Sequence, residues 1–117
     1  MTYSEFATLV GTITDPGGNA LPNAYYQFTH PVDPPFICFY YPRRNDIIAD
    51  NRNYQKVEHT VLELYTTEKD FEQESNVETI LTESSIVYTR QEIYLDSEQM
   101  WMIVYEFDLI ITEEQNA

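Results

Sequence analysis

The residues best suited to chemistry in this chain are one cysteine and two histidines. A thiol paired with an imidazole base could perform nucleophilic catalysis, and here it would have to join Cys38 to His30 or His59. Cys38 lies in the apolar run 36–41, without the cationic or helix-terminal setting that activates a thiol. His59 is a candidate general base, but a strand histidine is more often a hydrogen-bonded structural residue. We therefore predict that Cys38 is a small core residue and that no catalytic residue is present.

The acidic residues do not form a recognisable site either. Glu92 and Asp96, and Glu106 and Asp108, have same-face spacing on strands, but no motif distinguishes them among 20 acidic residues. The segment Asp46–Asp50 lacks the alternating ligands, central glycine and closing glutamate of a calcium loop. Three glycines in the whole chain are too few for a glycine-rich phosphate loop. The sequence predicts that the protein is not an enzyme and has no metal site and no cofactor.

Two amphipathic helices are predicted from apolar residues spaced three and four apart. The first covers residues 3–13 and ends at a Pro-Gly-Gly turn; Ser4 and Glu5 lie at its start, without a clear capping box. The second opens at 67–70, with Thr67 as its N-cap. Its predicted apolar stripe comprises Phe71, Val77, Ile80 and Leu81. Its predicted exposed side comprises Glu72, Glu74 and Glu78.

The strands follow from alternation and from β-branched and aromatic runs. The clearest is 101–111, where every odd residue is apolar and is predicted to face the core. Its even face should be partly exposed, with an apolar patch at Met102 and Val104. Pro42 should end the strand before it. The other predicted strands are 25–28, 36–41, 57–65 and 86–95.

These elements predict one α+β domain over residues 1–117, with a mainly antiparallel sheet of four or five strands and two helices packed against it. Residues 1–20 form the N-terminal helix and turn. Residues 43–55 are predicted to be a polar loop, interrupted by one pair of isoleucines, and residues 113–117 a frayed tail.

The charge of the chain excludes several classes of partner. Six basic and 20 acidic residues give a net charge of −14 in 117 residues. Residues 1–57 hold four basic and five acidic groups, whereas 58–117 hold two and 15. Binding of DNA or RNA through phosphates, or of an anionic membrane, needs a basic face that this composition does not provide. A disordered acidic tail is also excluded, since 43% of the residues are hydrophobic.

Localisation signals are few. No apolar run reaches the roughly 18 residues of a membrane span. The first residues lack the basic segment of a signal peptide, and one cysteine suits a reducing compartment. We therefore expect the protein to be made in the cytoplasm and not exported.

The surface carries the remaining prediction. Ten tyrosines, six phenylalanines and one tryptophan exceed what a core of this size can hide, and aromatic residues are enriched at protein interfaces. The basic 43–55 segment of one subunit could meet the acidic half of another in a head-to-tail contact, although a solvated loop that happens to hold arginines is an equal alternative. The predicted interface residues are Tyr40, Tyr41, Arg43, Arg44, Arg52, Tyr54, Met100 and Met102.

Several segments also resemble a known class of proteins over about residues 20–110. They are Tyr25–Phe28, Pro34–Ile37 with Tyr40, Ala49–Asn51, Tyr54–Val57, Glu63–Thr66, Lys69-Asp70 before a Glu-rich helix, Ser97–Trp101 and Tyr105–Phe107. The chain is similar in these segments to small tail-completion or tail-terminator (head–tail joining) proteins, encoded in the structural gene clusters of long-tailed phages and prophages of Gram-positive bacteria.

The resemblance implies an α+β subunit that forms a sixfold ring at the head-proximal end of the tail tube. The implied partners are further copies of the chain, the tail tube protein and the head connector protein. The implied location is the virion, reached after assembly in the host cytoplasm. No catalytic residues are implied. Because this chain has little beyond the shared region, a docking arm would have to be 43–55 or the termini.

Two other functions fit parts of the sequence. A small protein with a charge of −14 could mimic DNA and inhibit a DNA-binding enzyme. Against this, a mimic needs carboxylates in regular rows that face outward, whereas here the carboxylates are scattered among the apolar residues of half-buried strands. A domain that binds a small ligand on an aromatic sheet face is the third hypothesis.

Overall fold

A computed structural model describes residues 1–112 of the chain. Its elements run α1, β1, β2, β3, β4, α2, β5, β6 along the chain. The bounds of the helices are α1 Tyr3–Gly11 and α2 Phe71–Glu83. The bounds of the strands are β1 Asn23–Tyr25, β2 Phe36–Arg44, β3 Ile47–Ala49, β4 Arg52–Thr66, β5 Thr89–Leu95 and β6 Met100–Ile111. Among these described residues, neither helix is long and apolar enough to cross a membrane.

The strands form one sheet in the order β1-β2-β4-β6-β5, and β3 pairs only with β4. All pairs are antiparallel except β1 with β2. The α+β class, the two helices and the mainly antiparallel sheet are confirmed. The count of four or five strands is slightly wrong, because the sheet has six.

The core lies between the helices and one face of the sheet. Strand β4 is central, and its even residues share that face with the odd residues of β6, as in the pair Leu62 and Tyr105 and the pair Leu64 and Ile103. Phe6 of α1 reaches the same core and is fully buried. The prediction for β6 is confirmed at five of its six odd residues, while Trp101 is only half-buried; the buried ones are Ile103, Tyr105, Phe107, Leu109 and Ile111.

The segment 43–55, predicted as a polar loop, is a β-hairpin. Strand β2 continues through Pro42 to Arg44, and β3 then turns back onto the start of β4. Pro42 does not end the strand because the register shifts between Tyr40 and Arg43, and a proline is tolerated at such a bulge. Asp50 and Asn51 have positive φ at the turn, a conformation that Asp and Asn adopt more readily than most residues.

Helix α1 begins at Tyr3 as predicted, but both helices are capped by other residues than predicted. Thr2 caps α1 in a complete capping box with Glu5, in which each side chain accepts a hydrogen bond from the other's backbone N–H. Asp70, not Thr67, caps α2 by accepting from the Gln73 N–H. The first helix ends at Gly11, and its chain then turns, with Thr14 and Ala20 paired across the turn.

The predicted faces of α2 are wrong at two positions. Phe71 is 73% exposed, whereas Glu74 is only 3% exposed. At 100° per residue, Phe71 lies about 120° around the helix from Val77, so it cannot share the buried stripe. Glu74 lies one turn before Val77 and therefore on that stripe, where ion pairs accommodate its charge. The predicted tail at 113–117 lies outside the described residues.

Candidate interaction surface

The face of the sheet opposite the helices, which we call the outer face, is unusually apolar. Along each strand its side chains alternate with core residues, as the pairs Phe36 with Tyr65 and Tyr65 with Met102 show. An antiparallel sheet with one face open usually presents polar residues there. Most of the apolar side chains are half-buried. The members nearest the end of β4 are Phe36, Cys38, Tyr40, Val61, Tyr65, Ile93, Leu95, Met102 and Val104.

The outer face is most aromatic where β4 ends. The rings of Phe36 and Tyr65 stack with centroids 4.7 Å apart, and Phe28 from the β1–β2 connection contacts Phe36 edge-on at 5.4 Å. A depression of about 530 Å³ lies beside these rings. We call it the aromatic groove, and its main side chains are Tyr26, Phe28, Phe36, Tyr65, Leu95 and Met100.

The polar side chains at this end of the outer face form hydrogen bonds with one another. The Tyr65 hydroxyl donates to Glu63 at 2.9 Å, and the Tyr40 hydroxyl approaches the other carboxylate oxygen of Glu63 at 3.5 Å. Burial, with the nearby Glu63 charge, raises the pKa of both tyrosines. The same two causes raise the pKa of the Cys38 thiol to about 11. The buried Cys38 is thus a protonated, weakly nucleophilic thiol, as its sequence context predicted.

At the opposite end of the outer face, His59 lies between two carboxylates. Its Nε2 is 3.0 Å from Glu106 Oε1 and its Nδ1 is 3.0 Å from Asp108 Oδ1. The hydrogen bond to Glu106 raises the pKa of His59, against partial burial, and Asp108 adds to the rise. Arg43, the cross-strand neighbour of His59, opposes it. An imidazole that retains its proton in this way is better suited to an ion pair than to general base catalysis.

The β3–β4 hairpin, residues 45–55, projects beyond the rest of the sheet, and we call it the arm. Its base is fixed by Asp46, whose side chain is 6% exposed. That carboxylate accepts from Arg44 Nε at 3.1 Å and Nη2 at 2.6 Å, from Asn53 Nδ2 at 2.8 Å and from the Val57 N–H at 3.2 Å. The hydrogen bonds to Arg44 and Asn53 lower the pKa of Asp46 to about 2. Above this base, Ile48 is 71% exposed and Tyr54 is 73% exposed.

A second ionic cluster joins α2 to the edge strand β5. The nearly buried carboxylate of Glu74 pairs with both Lys69 and Arg90. Lys69 also lies 2.9 Å from Glu92, and the Tyr105 hydroxyl donates to Glu78 at 2.8 Å. Every charged member has an opposite charge beside it, so this cluster is of the kind that holds two elements of a fold together.

The eight predicted interface residues fall into four groups. Tyr40, Met100 and Met102 lie on the outer face or at the rim of the aromatic groove, and Arg52 and Tyr54 belong to the arm. Arg43 lies between them, opposite His59. The remaining two are engaged inside the subunit: Arg44 with Asp46, and Tyr41 with the rings of Tyr3 and Phe6.

Other residues of the surface were not predicted. In the sequence, Ile47 and Ile48 are an apolar pair within a polar segment. That pair is the one feature of the segment that could have indicated an exposed apolar contact site. The sequence places Phe28 and Phe36 on strands without assigning them a face. Their faces depend on the cross-strand register, which a single strand's sequence does not contain.

Charge is distributed unevenly between the two ends of the sheet. Residues 43–56, at the arm end, hold four basic side chains against Asp46 and Asp50. The segments 28–36, 65–70 and 95–101, at the groove end, hold a single basic residue, Lys69, which is occupied by Glu74 and Glu92. The acidic residues of these segments are Asp33, Glu68, Asp70, Asp96 and Glu98.

Within residues 1–112, no group of three or more His, Cys, Asp or Glu side chains is arranged to hold a metal ion. No known family model matches the sequence, and no curated protein is significantly similar to it. The function therefore has to be inferred from the surfaces of the molecule and from the resemblance of its segments.

Proposed function

We propose that this protein is a structural subunit of a phage tail, a tail terminator or head–tail joining protein that assembles as a ring at the head-proximal end of the tail tube. It acts by forming contacts and not as an enzyme. Its partners are further copies of itself, six to a ring as the resemblance implies, together with the tail tube protein and the head connector protein. It is assembled in the host cytoplasm and resides in the virion.

The observation that carries this proposal is the apolar outer face. Phe36, Tyr65 and Met102 form a continuous apolar and aromatic strip on the side of the sheet away from the core. Contiguous exposed apolar surface on a small protein usually marks a site of protein contact. Aromatic residues and methionine are also the types enriched at protein interfaces.

The distribution of charge supports the same proposal. A basic arm end and an acidic groove end favour contact between unlike ends of two copies, because opposite potentials attract and like ends repel. Contacts between unlike surfaces generate rings when the rotation closes.

A DNA mimic has less support from the geometry. Its strongest argument is the net charge of −14. However, many carboxylates are partnered inside the subunit: Glu74, Glu78 and Glu92 with Arg90, and Glu106 and Asp108 with His59. These groups are not free to form a regular row that imitates phosphates.

The test of the proposed function uses sedimentation velocity and negative-stain microscopy of the purified protein. We expect rings, and we expect particles bound at the ends of tail tubes assembled from the tube protein encoded in the same genome. Met102→Glu should weaken assembly by about tenfold or more, since it places a charge on the outer face. Val87→Glu is the matched control, because Val87 is 90% exposed and lies outside the strands.

A protein that stays monomeric at all concentrations and never binds tube ends would contradict the proposal. Displacement of DNA from a DNA-binding enzyme in a gel-shift competition would instead favour the mimic.

A further inference from the structure

We propose that the arm of one subunit binds in the aromatic groove of the next subunit, so that copies join head to tail. This inference depends on the proposed function only in requiring that the chain assembles with itself. It identifies the two surfaces that meet, and it assigns Ile48 and Tyr54 of the arm as the inserted side chains.

The arm and the groove lie at opposite ends of one strand. Arg52 in the arm begins β4, and Tyr65 in the groove stands at its other end. At about 3.3 Å per residue, a strand of 15 residues spans nearly 50 Å, which is the longest dimension of the molecule. An arm therefore cannot reach the groove of its own subunit, and any arm-in-groove contact must join two copies.

The two surfaces match in chemistry. Ile48 and Tyr54 are large apolar side chains that the isolated subunit leaves mostly in water. The groove offers aromatic rings from Phe28, Phe36 and Tyr65, and its volume of about 530 Å³ is not filled by the subunit's own side chains. Transfer of such side chains from water to an apolar site is favourable.

The charges around these surfaces match as well. Residues 43–56, at the arm end, bring four basic side chains against two acidic ones; Arg52 is exposed, while Arg44 is held by Asp46. The rim of the groove brings Glu98, and Asp96 lies beside it in the β5–β6 turn. Two arm ends would repel each other because both carry a net positive charge, and two groove ends would repel each other because both carry a net negative charge. The favoured pairing is thus one arm with one groove.

A contact of this kind has a direction. Each subunit offers one arm and receives one, so an open chain always ends with a free arm and a free groove. When the chain of subunits closes into a ring, its free arm binds its free groove. The arm and the groove of every subunit are then used equally.

Disulfide trapping tests the contact directly. The variant Ile48→Cys/Met100→Cys places one thiol on the arm and one at the groove, and copper phenanthroline provides the oxidant. These positions are too far apart within one subunit for a disulfide, which requires Cα atoms within about 7 Å. We expect a ladder of covalent oligomers on non-reducing gels. Because the native Cys38 also lines the groove, all the cysteine variants are made in a Cys38→Ala background.

Three controls give the result its meaning. The variant Val87→Cys/Met100→Cys pairs the groove with an exposed position outside the arm, and it should give at most a faint dimer. Each single variant, Ile48→Cys or Met100→Cys, has one engineered thiol and can therefore give at most a disulfide-linked dimer. A mixture of Ile48→Glu and Met100→Arg subunits should form two-subunit complexes, because one intact groove and one intact arm remain, although neither variant should assemble alone.

The outcomes separate this inference from the proposed function. Wild-type rings together with no ladder above the Val87 control would overturn the arm-in-groove contact and leave ring assembly standing. A wild-type protein that does not sediment as an oligomer, together with an Ile48→Cys/Met100→Cys variant that does not cross-link, would overturn both. If the Ile48→Glu variant assembles at the same protein concentration as the wild type, the arm-in-groove contact is also overturned.

Discussion

At the level of single residues, His59 couples the stability of the sheet to pH. Its ring faces Glu106 and Asp108 of β6, and Arg43 of β2 lies on its other side. Because the two carboxylates raise its pKa above the ordinary value of 6.5, the folded protein holds the proton more tightly than the unfolded chain. The stabilisation by His59 is therefore complete below about pH 6.5 and is lost as the pH rises through the folded pKa.

The variant His59→Gln measures this coupling. We expect its melting temperature to fall below that of the wild type at about pH 5.5, and the difference to shrink towards about pH 8.5 as the imidazole loses its proton. The comparison of two proteins at each pH cancels the general effect of pH on a chain with a charge of −14. An equal difference at both pH values would show that the His59 ion pairs do not stabilise the fold.

At the level of elements, Phe6 is the fully buried aromatic residue that anchors α1 to the sheet. Phe6 is fully buried and contacts the rings of Phe39, at 5.5 Å, and Phe107, at 5.8 Å. We expect Phe6→Ala to lower the free energy of unfolding by about 3–5 kcal/mol, because it leaves a cavity in the core. Urea denaturation followed by circular dichroism measures the loss.

The matched control for Phe6→Ala is Phe71→Ala in α2. Phe71 is mostly exposed, so the same chemical change there should alter stability by about 0.5 kcal/mol or less. Equal losses for the two variants would mean that Phe71 is a core residue after all, as the sequence pattern had suggested.

The elements also differ in how well their sequence predicts them. Strand β6 was predicted with its buried face, because strict alternation over many residues has a single interpretation. The arm was missed because its pairing is only three residues long on one side, and its side chains are mostly polar. Burial of Glu74 also escaped prediction, since the cations that make it tolerable come from outside its helix: Lys69 precedes α2, and Arg90 lies in β5.

The interaction surface was predicted only in part, for a related reason. Aromatic and basic residues indicated contact, and five of the eight named residues lie on the arm, the outer face or the groove. Tyr41 has the same composition signal as Tyr40, but neighbouring residues of a strand face opposite sides. Tyr41 is therefore packed beneath α1, while Tyr40 lies on the outer face.

At the level of the whole molecule, we expect the proposed assembly to depend on charge at Arg52, because the basic and acidic ends of the subunit are separated. Arg52→Glu should weaken self-association more than Arg52→Gln, because it adds a repulsive charge facing the acidic groove end as well as removing an attractive one. Sedimentation velocity measures both variants. Arg52 is preferred to Arg44 for this test, since Arg44 also holds the base of the arm through Asp46.

Salt provides the control for the Arg52 variants. The difference between Glu and Gln at this position should narrow at about 1 M salt, where the screening length falls to about 3 Å. A difference unaffected by salt would indicate that the substitutions change the shape of the arm and not its electrostatic attraction.

The length of β4 has a mechanical consequence. This strand runs from the arm to the groove and is bonded along most of its length to β2 on one side and β6 on the other. Tension transmitted around a closed ring would pull along the strand axis, so many backbone hydrogen bonds would have to shear together instead of opening one by one. In a ring of the proposed kind, this arrangement would resist a force that acts outward on the subunits.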